Sequence, residues 1–376
     1  YARFRDMALP TIQQWSSMTI SQAPQEIETD TDSRPGYGLY RTELAAMSNF
    51  SEESVASVGS YPARSPFGTF DAAGNVREWS WNATGNDPDS NRYILGGSWQ
   101  DPTYLYTYGV AESPWDRSAV NGVRLVSNES GDIMASLREP VPLPGTESLE
   151  PISDEVFQVY RDLFDYDPAP LNAVVESVDA ESPFWVRETV SFDAVYDGER
   201  VLAHAFQPTN IEPPYQVVIY YPSSAAIFSV DSSELELDYV DFIAKSGRAH
   251  VFPVLQATYE RNTGLDTTWP KNTRAYSDLV VAWIQDFRRT VDYLETRDDM
   301  NLNKLGFYGF SWGGWNGPIV MALDDRFSTG VFLSGGTPPT LARPEASSAS
   351  YASRVTQPVL MISGKDDVIR PVATYQ

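Results

Sequence analysis

A strand-like run ending at Tyr308 meets Gly309-Phe310-Ser311-Trp312-Gly313, and a helix-like run follows. A serine held on so sharp a strand-to-helix turn needs glycine on either side, because side chains there would collide with the adjoining strand and helix. The three fixed positions alone would arise in a chain of this length about one time in ten, so their setting decides. That setting is alternating. Val190, Phe192 and Ala194 alternate with polar residues, Asp197-Gly198 supplies a hairpin turn, and residues 201–206 return as a strand. Residues 217–221, 248–254, 304–308, 330–333 and 358–362 read as further strands, and residues 239–245 as a helix that Gly247 caps. Leu279, Trp283, Ile284, Phe287, Val291 and Leu294 form one stripe of a long amphipathic helix. Such alternation predicts an α/β unit with a mostly parallel, doubly wound sheet covered on both faces.

On that sheet Ser311 would stand exposed at the carboxyl edge as a nucleophile. The Trp312 N–H, opening the next helix, would face a developing oxyanion. The loop after residues 217–221 should give a second donor; Pro222-Ser223-Ser224-Ala225 stands there, so Ser223 and Ser224 are the candidates. An acid belongs after a later strand. Gly364-Lys365-Asp366-Asp367 offers Asp367 first and Asp366 second, against the plain alternative of a solvated turn. A serine hydroxyl needs a base to attack at neutral pH, and in Ser, Asp, His order that base should follow Asp367. No His follows it. His204 and His250 both precede Ser311 in predicted strands and read as structural, so the base is expected beyond Gln376 and these residues alone should be close to inert. Gly314, Gly317 and Pro318 predict a short or kinked helix after the serine.

Residues 1–127 are dense in Trp, Tyr, Gly, Asn and Ser, which suggests an irregular, loop-rich α+β domain with short strands. Thr11 and Gln14 make a capping box for a helix over residues 12–18. The Pro- and Glu-rich stretch 128–151 reads as a linker, leaving 152–376 to the α/β unit; a short helix behind Ser153 leads into it. The formal charge of −24 repels phosphate backbones and anionic lipid, so neither nucleic acid nor a membrane surface is an expected partner. No apolar run approaches the roughly 18 residues of a bilayer span. With no Cys, thiol nucleophiles, disulfides and thiolate metal sites are excluded. No targeting segment is visible, which leaves both a cytoplasmic and an extracytoplasmic bacterial setting open.

Residues 184–376 resemble the α/β-hydrolase superfamily, in particular its dienelactone-hydrolase and prolyl-oligopeptidase-like branch. The resemblance rests on residues 214–220, on Gly309-Phe310-Ser311-Trp312-Gly313 and on residues 358–367. It implies a serine hydrolase acting on an ester, lactone or peptide substrate, or on a sugar-linked acyl group if the N-terminal domain presents it, with Ser311 as nucleophile, Asp367 orienting a His supplied further on and the last strand and helix of the fold lacking. The front of the chain resembles the formylglycine-generating-enzyme-like domain (the sulfatase-modifying factors), a C-type-lectin-like fold truncated at its start. Its marks are Leu9-Pro10-Thr11, residues 58–62, residues 71–79, Leu95-Gly96-Gly97-Ser98-Trp99 and Gly122-Val123-Arg124. That family's oxidases hold copper on a Cys pair, whose places fall near Asp101 and Tyr106 here, so copper and sulfatase-activating oxidation are not expected. Iron is not expected either, for want of a His cluster, and nothing points to a nucleotide. The resemblance does imply a structural Ca²⁺ held by Asp71, Gly74, Val76 and Glu78, an oxygen ligand set that suits this hard ion. Fusions of the two domains are similar to the rear half of bacterial proteins that begin with a Ser/Thr kinase, which would make this chain part of a longer one. A second reading stands beside the hydrolase: a catalytically inactive binding or assembly protein, or a Ca²⁺-dependent carbohydrate-binding one.

Overall fold

The computed structural model describes residues 7–19, 47–65, 67–107, 109–127, 136–141, 151–227, 229–262, 272–336 and 342–364. By contacts the chain divides into unit 1, Tyr1–Leu143, and unit 2, Pro144–Gln376. Unit 1 starts with β1 (Met7–Ala8) and α1 (Ile12–Thr19). The capping box is present: the Thr11 N–H donates to Gln14 Oε1 at 2.9 Å and the Gln14 N–H to Thr11 Oγ1 at 3.2 Å. β2 (Arg77–Ala83), β3 (Arg92–Leu95), β4 (Val110–Glu112) and β5 (Asn121–Gly122) form one sheet in the order β4-β3-β2-β5, and β6 (Val126–Ser127) pairs antiparallel with β1. Most of the described residues of the unit are loop, as its composition predicted. Trp15, fully buried, is the centre of a small core with Ile12, Phe50, Tyr93, Leu95 and Tyr106. Residues 136–141, placed in the linker by composition, join this unit instead. Asn82 donates to the carbonyls of Leu137 and Glu139, and the Val141 N–H donates to Ala83 O at 2.8 Å.

Unit 2 opens with α2 (Asp154–Asp162), capped by Ser153 as its sequence predicted. Eight strands follow in one sheet: β7 (Val174–Asp179), β8 (Trp185–Asp193), β9 (Arg200–Pro208), β10 (Tyr215–Tyr221), β11 (Ala249–Val254), β12 (Met300–Phe310), β13 (Thr329–Leu333) and β14 (Val359–Ile362). Their order is β14-β13-β12-β10-β11-β9-β8-β7. The ladders from β11 through β10, β12 and β13 to β14 are parallel, while β7, β8 and β9 form an antiparallel meander on the β11 side. The hairpin at Asp197-Gly198 has φ of 53° and 66°, the left-handed pair that a two-residue turn requires. β7 has no strong apolar signal, since it is an edge strand with its side chains largely exposed. α3 (Asp241–Lys245) ends on Gly247 at φ 82°.

α4 (Arg274–Leu294) and α5 (Trp312–Leu323) pack on one face, and their apolar stripes make the main core with the sheet. Trp283, Ile284, Phe287, Val291 and Leu294 on α4 are fully buried, each contributing about 1.5–3 kcal/mol over exposure. A second apolar cluster, with Phe206, Tyr220, Val240, Ile243, Phe252, Tyr259 and Tyr308, is covered by α3 and the turns before it. The central strands of the sheet are thus buried on both faces. α5 runs 12 residues with Pro318 inside it, so of the two alternatives the helix is not short. Its glycines serve close approach. A Cβ on Gly317 would lie 2.4 Å from the Phe332 ring, and one on Gly314 would lie 2.8 Å from the Gly335 Cα. A mostly parallel sheet with a strained serine between β12 and α5 is the α/β-hydrolase-like fold that the resemblance implied.

Candidate active site

Ser311 lies between β12 and α5 with φ 51° and ψ −104°, a left-handed conformation unusual for a side-chain-bearing residue. Its own bonds hold it there. The Ser311 N–H donates to Leu333 O at 2.7 Å, the Trp315 N–H to Ser311 O at 2.9 Å, and the Gly313 N–H to Pro222 O at 2.9 Å. Both flanking glycines are obligatory: a Cβ on Gly309 would lie 2.4 Å from the Gly313 carbonyl, and one on Gly313 would lie 2.1 Å from Tyr221 O. Trp312, buried, fixes the start of α5 by edge-on contacts with Trp283 (4.7 Å between centroids) and Tyr221 (5.0 Å). Its N–H is among the first of a helix, without a carbonyl four residues back inside the helix to receive it. It stands directly after Ser311, at the first position of α5.

Of the two candidates for the second donor, Ser223 is already engaged. Ser223 sits at the carboxyl end of β10, and its N–H donates to Glu236 Oε2 at 2.9 Å while its hydroxyl donates to Glu236 Oε1. Tyr220 Oη donates to the same Oε2 at 2.7 Å. Ser224 opens a short 3₁₀ turn, Ser224–Ile227. No local pattern marks Glu236, which lies 13 residues after Ser223 in a segment without periodicity.

Asp366 and Asp367 lie outside the described residues. Where their loop begins is known. Phe310, Leu333 and Ile362 are in register across β12, β13 and β14, so the chain leaves β14 at the same sheet edge as Ser311, two strands away or about 10 Å. One cavity of about 540 Å³ opens beside the first turns of α4, between Tyr196, Gln256, Ser277 and Glu345; Ser311 is not in its wall.

Neither histidine can serve as the base. His204, on β9, is held between Thr189 Oγ1 (3.1 Å from Nδ1) and Ser232 Oγ (2.8 Å from Nε2). His250, on β11, is wholly buried and stacked on Phe206 at 4.4 Å, and neither ring nitrogen has a hydrogen-bond partner. Both are structural, as their strands suggested. Burial pushes the His204 imidazole down to about 4, aided by Arg187, and that of His250 to about 3. In the unfolded chain each would take a proton near pH 6.5, so the unfolded state binds more protons below that value and folding weakens as pH falls from about 6.5 toward 4. The melting temperature of unit 2 should drop over this range. His250→Phe should raise it at pH 5 and flatten the slope; an unchanged slope in that variant would show that the imidazole is not neutral in the fold.

A further buried charge lies on α4. Asp286, on α4 and buried, receives Arg261 Nη1 at 2.5 Å, Tyr196 Oη at 2.7 Å and the Gln256 N–H at 2.9 Å. Burial pushes its carboxyl up, against the pull of Arg261. This network ties the loop after β11 to α4 and to the β8–β9 hairpin.

In unit 1, the two carboxylates of the loop implied to hold calcium (Asp71, Gly74, Val76 and Glu78) already have partners within the protein. Glu78 is buried, and its Oε2 accepts from Trp15 Nε1 at 2.7 Å and Arg124 Nε at 2.8 Å, its Oε1 from Arg124 Nη2 at 2.6 Å. A guanidinium thus sits where a cation would need negative charge, and Asp71 Oδ2 accepts from the Gly59 N–H at 2.7 Å. Among the described residues no group of three or more His, Asp or Glu could hold a metal ion. We assign Glu78 as the internal counter-ion of Arg124 and derive no step through calcium. Where the oxidases keep a copper-binding Cys, Asp101 instead forms a two-pronged bond with Arg77 (2.6 and 2.7 Å) and accepts from Ser98. Burial pushes Asp101 up, but Arg77 and Ser98 outweigh it and hold the carboxyl below its usual value. Tyr106, the other such place, is core packing against Trp15.

Residues 1–129 match the family model of the sulfatase-modifying factor enzyme 1-like domain. No curated protein matches the chain. Among solved structures, an acetyl xylan esterase from Paenibacillus sp. R4 is 16% identical with a TM-score of 0.45, over 61% of this chain and 85% of its own. Acetyl xylan esterase 1 from Thermoanaerobacterium sp. JW/SL YS485 is 15% identical with a TM-score of 0.46, over 60% and 82%. A glucuronoyl esterase from Solibacter usitatus is 16% identical with a TM-score of 0.37, over 48% of this chain and 58% of its own. Likenesses this weak say nothing of chemistry. No helix among the described residues is long and apolar enough to cross a membrane. The chain therefore carries a sulfatase-modifying factor enzyme 1-like domain over residues 1–129, followed by a unit of α/β-hydrolase-like fold.

Proposed function

We propose that unit 2 is a serine hydrolase that cleaves small acyl esters, lactones or acylated sugars, with Ser311 as nucleophile and the Trp312 N–H as the first oxyanion donor. The observation that carries this is the backbone of Ser311: a strained φ of 51° between two glycines that admit no Cβ presents a hydroxyl at the sheet edge. Strain of this kind persists only where the surroundings impose it, and three backbone bonds do so here. Asp367, or Asp366, on the loop leaving the same edge would orient the base, which neither His204 nor His250 can supply. Unit 1 would serve as a non-oxidase accessory domain that holds or presents a sugar-linked substrate. The competing reading, an assembly protein without chemistry, draws on the two buried histidines. Hydrolysis of 4-nitrophenyl acetate by the intact protein separates them. Ser311→Ala should abolish it, and Asp367→Asn should lower kcat at least a hundredfold while Asp366→Asn changes it little. Hydrolysis that survives Ser311→Ala would remove the proposal.

A further inference from the structure

Resting on that reading, we infer that Glu236 is an internal anion that occupies the second oxyanion donor and holds the resting hydrolase in check. The loop after β10 is clamped to the serine turn, because Pro222 O receives the Gly313 N–H at 2.9 Å. Proline has no N–H of its own, so the first backbone donor beyond this clamp belongs to Ser223. That donor, which should face the substrate carbonyl, faces Glu236 Oε2 at 2.9 Å. The carboxylate is fixed from three directions: by that N–H, by the Ser223 hydroxyl and by Tyr220 Oη at 2.7 Å. Tyr220 stays protonated for this role, since burial, and then the charge of Glu236, push its phenol well above the usual value. Ser223 is itself buried and Glu236 half-buried, so solvent screens the arrangement only in part.

The consequence for acyl transfer has a definite sign. A tetrahedral intermediate places a negative charge near the donors of Trp312 and the loop after β10. With Glu236 in place, one of the two donors is already satisfied by an anion, and a second anion close to the first is repelled. Loss of one oxyanion donor typically costs 10²–10³ in rate. Vacating it, by moving the turn that carries Glu236 or by removing the side chain, restores the hole. Nothing else in the local geometry requires a carboxylate here: Ser223 Oγ also accepts from the Ala225 N–H at 3.1 Å, so the loop retains a hydrogen bond of its own without Glu236.

The rate of Ser311 modification by a fluorophosphonate, measured on the intact protein, tests this. The Ser311 Oγ–P bond forms as the hydroxyl proton passes to the base, fluoride leaves with the electron pair of the P–F bond, and the phosphoryl oxygen uses the same donors as a tetrahedral intermediate. Glu236→Ala should react at least tenfold faster than the unmodified protein. Glu236→Gln, which keeps an acceptor and loses the charge, should fall between, and it decides the matter if the Ala variant fails to fold. Equal or slower reaction of both folded variants, with the parent still labelled at Ser311, would make Glu236 a prop for the loop and overturn the inference while leaving the hydrolase intact. If no folded form is labelled at all, the hydrolase reading falls and this inference with it.

Discussion

Gly313→Ala should leave unit 2 without a functional serine turn and lower its melting temperature by many degrees. Its Cβ would stand 2.1 Å from Tyr221 O and 2.6 Å from the Tyr221 carbonyl carbon, and neither is the end of a flexible side chain. Both belong to β10, which lies between β11 and β12 in the sheet, so relief requires moving a central strand or α5. Overpacking costs about 1–3 kcal/mol where side chains can yield, and the cost here, backbone against backbone, lies at or above the upper end. Gly198→Ala is the control. Gly198 also has positive φ, 66°, but nothing lies within 4 Å of its Cβ position. That variant should lose only about 1–2 kcal/mol of backbone preference and keep full reactivity at Ser311. Calorimetry of the two variants, with fluorophosphonate labelling, distinguishes close approach from a merely permissive backbone.

Glu78→Ala should destabilise unit 1 by about 3–5 kcal/mol, because it strands a guanidinium and an indole N–H in a buried place. The Arg124 side chain is 23% exposed and that of Glu78 is 6% exposed, so the pair is not a surface ion pair of negligible worth. Burial raises the Glu78 carboxyl above its usual value despite Arg124, which shows that desolvation outweighs attraction at this site. Removing both partners should therefore cost less than removing Glu78 alone. In a thermal melt, Glu78→Ala with Arg124→Leu should recover part of the loss. Added calcium should shift neither the parent nor the single variant; a rise of several degrees in the parent, lost in Glu78→Ala, would restore the calcium assignment.

How far the molecule could be read from its residues follows from the physics of each element. The long helix, the hairpin at Asp197-Gly198 and the buried parallel strands carry strong local signals, and they appear where expected. The Ser311 turn was legible because its chemistry and its sterics demand the same residues. Less local features were not legible. β7 has valines at Val174, Val175 and Val178 that stay exposed, so they do not alternate as a half-buried strand would, and the close approaches of α5 involve Phe332 and Gly335, later in the chain. Asp71 and Glu78 have the residue types of a calcium loop, yet Arg124, 46 positions after Glu78, takes the carboxylate in three dimensions. Glu236 was invisible for the same reason. It meets Ser223 only once the chain has folded back across the second apolar cluster.

The nucleophilicity of Ser311 is read from the mass of the intact protein after fluorophosphonate treatment, with the adduct mapped by peptide sequencing. One adduct per chain, on the peptide containing Ser311 and lost in Ser311→Ala, is the predicted result. An adduct on any other residue, or none on a protein shown to be folded, would contradict it.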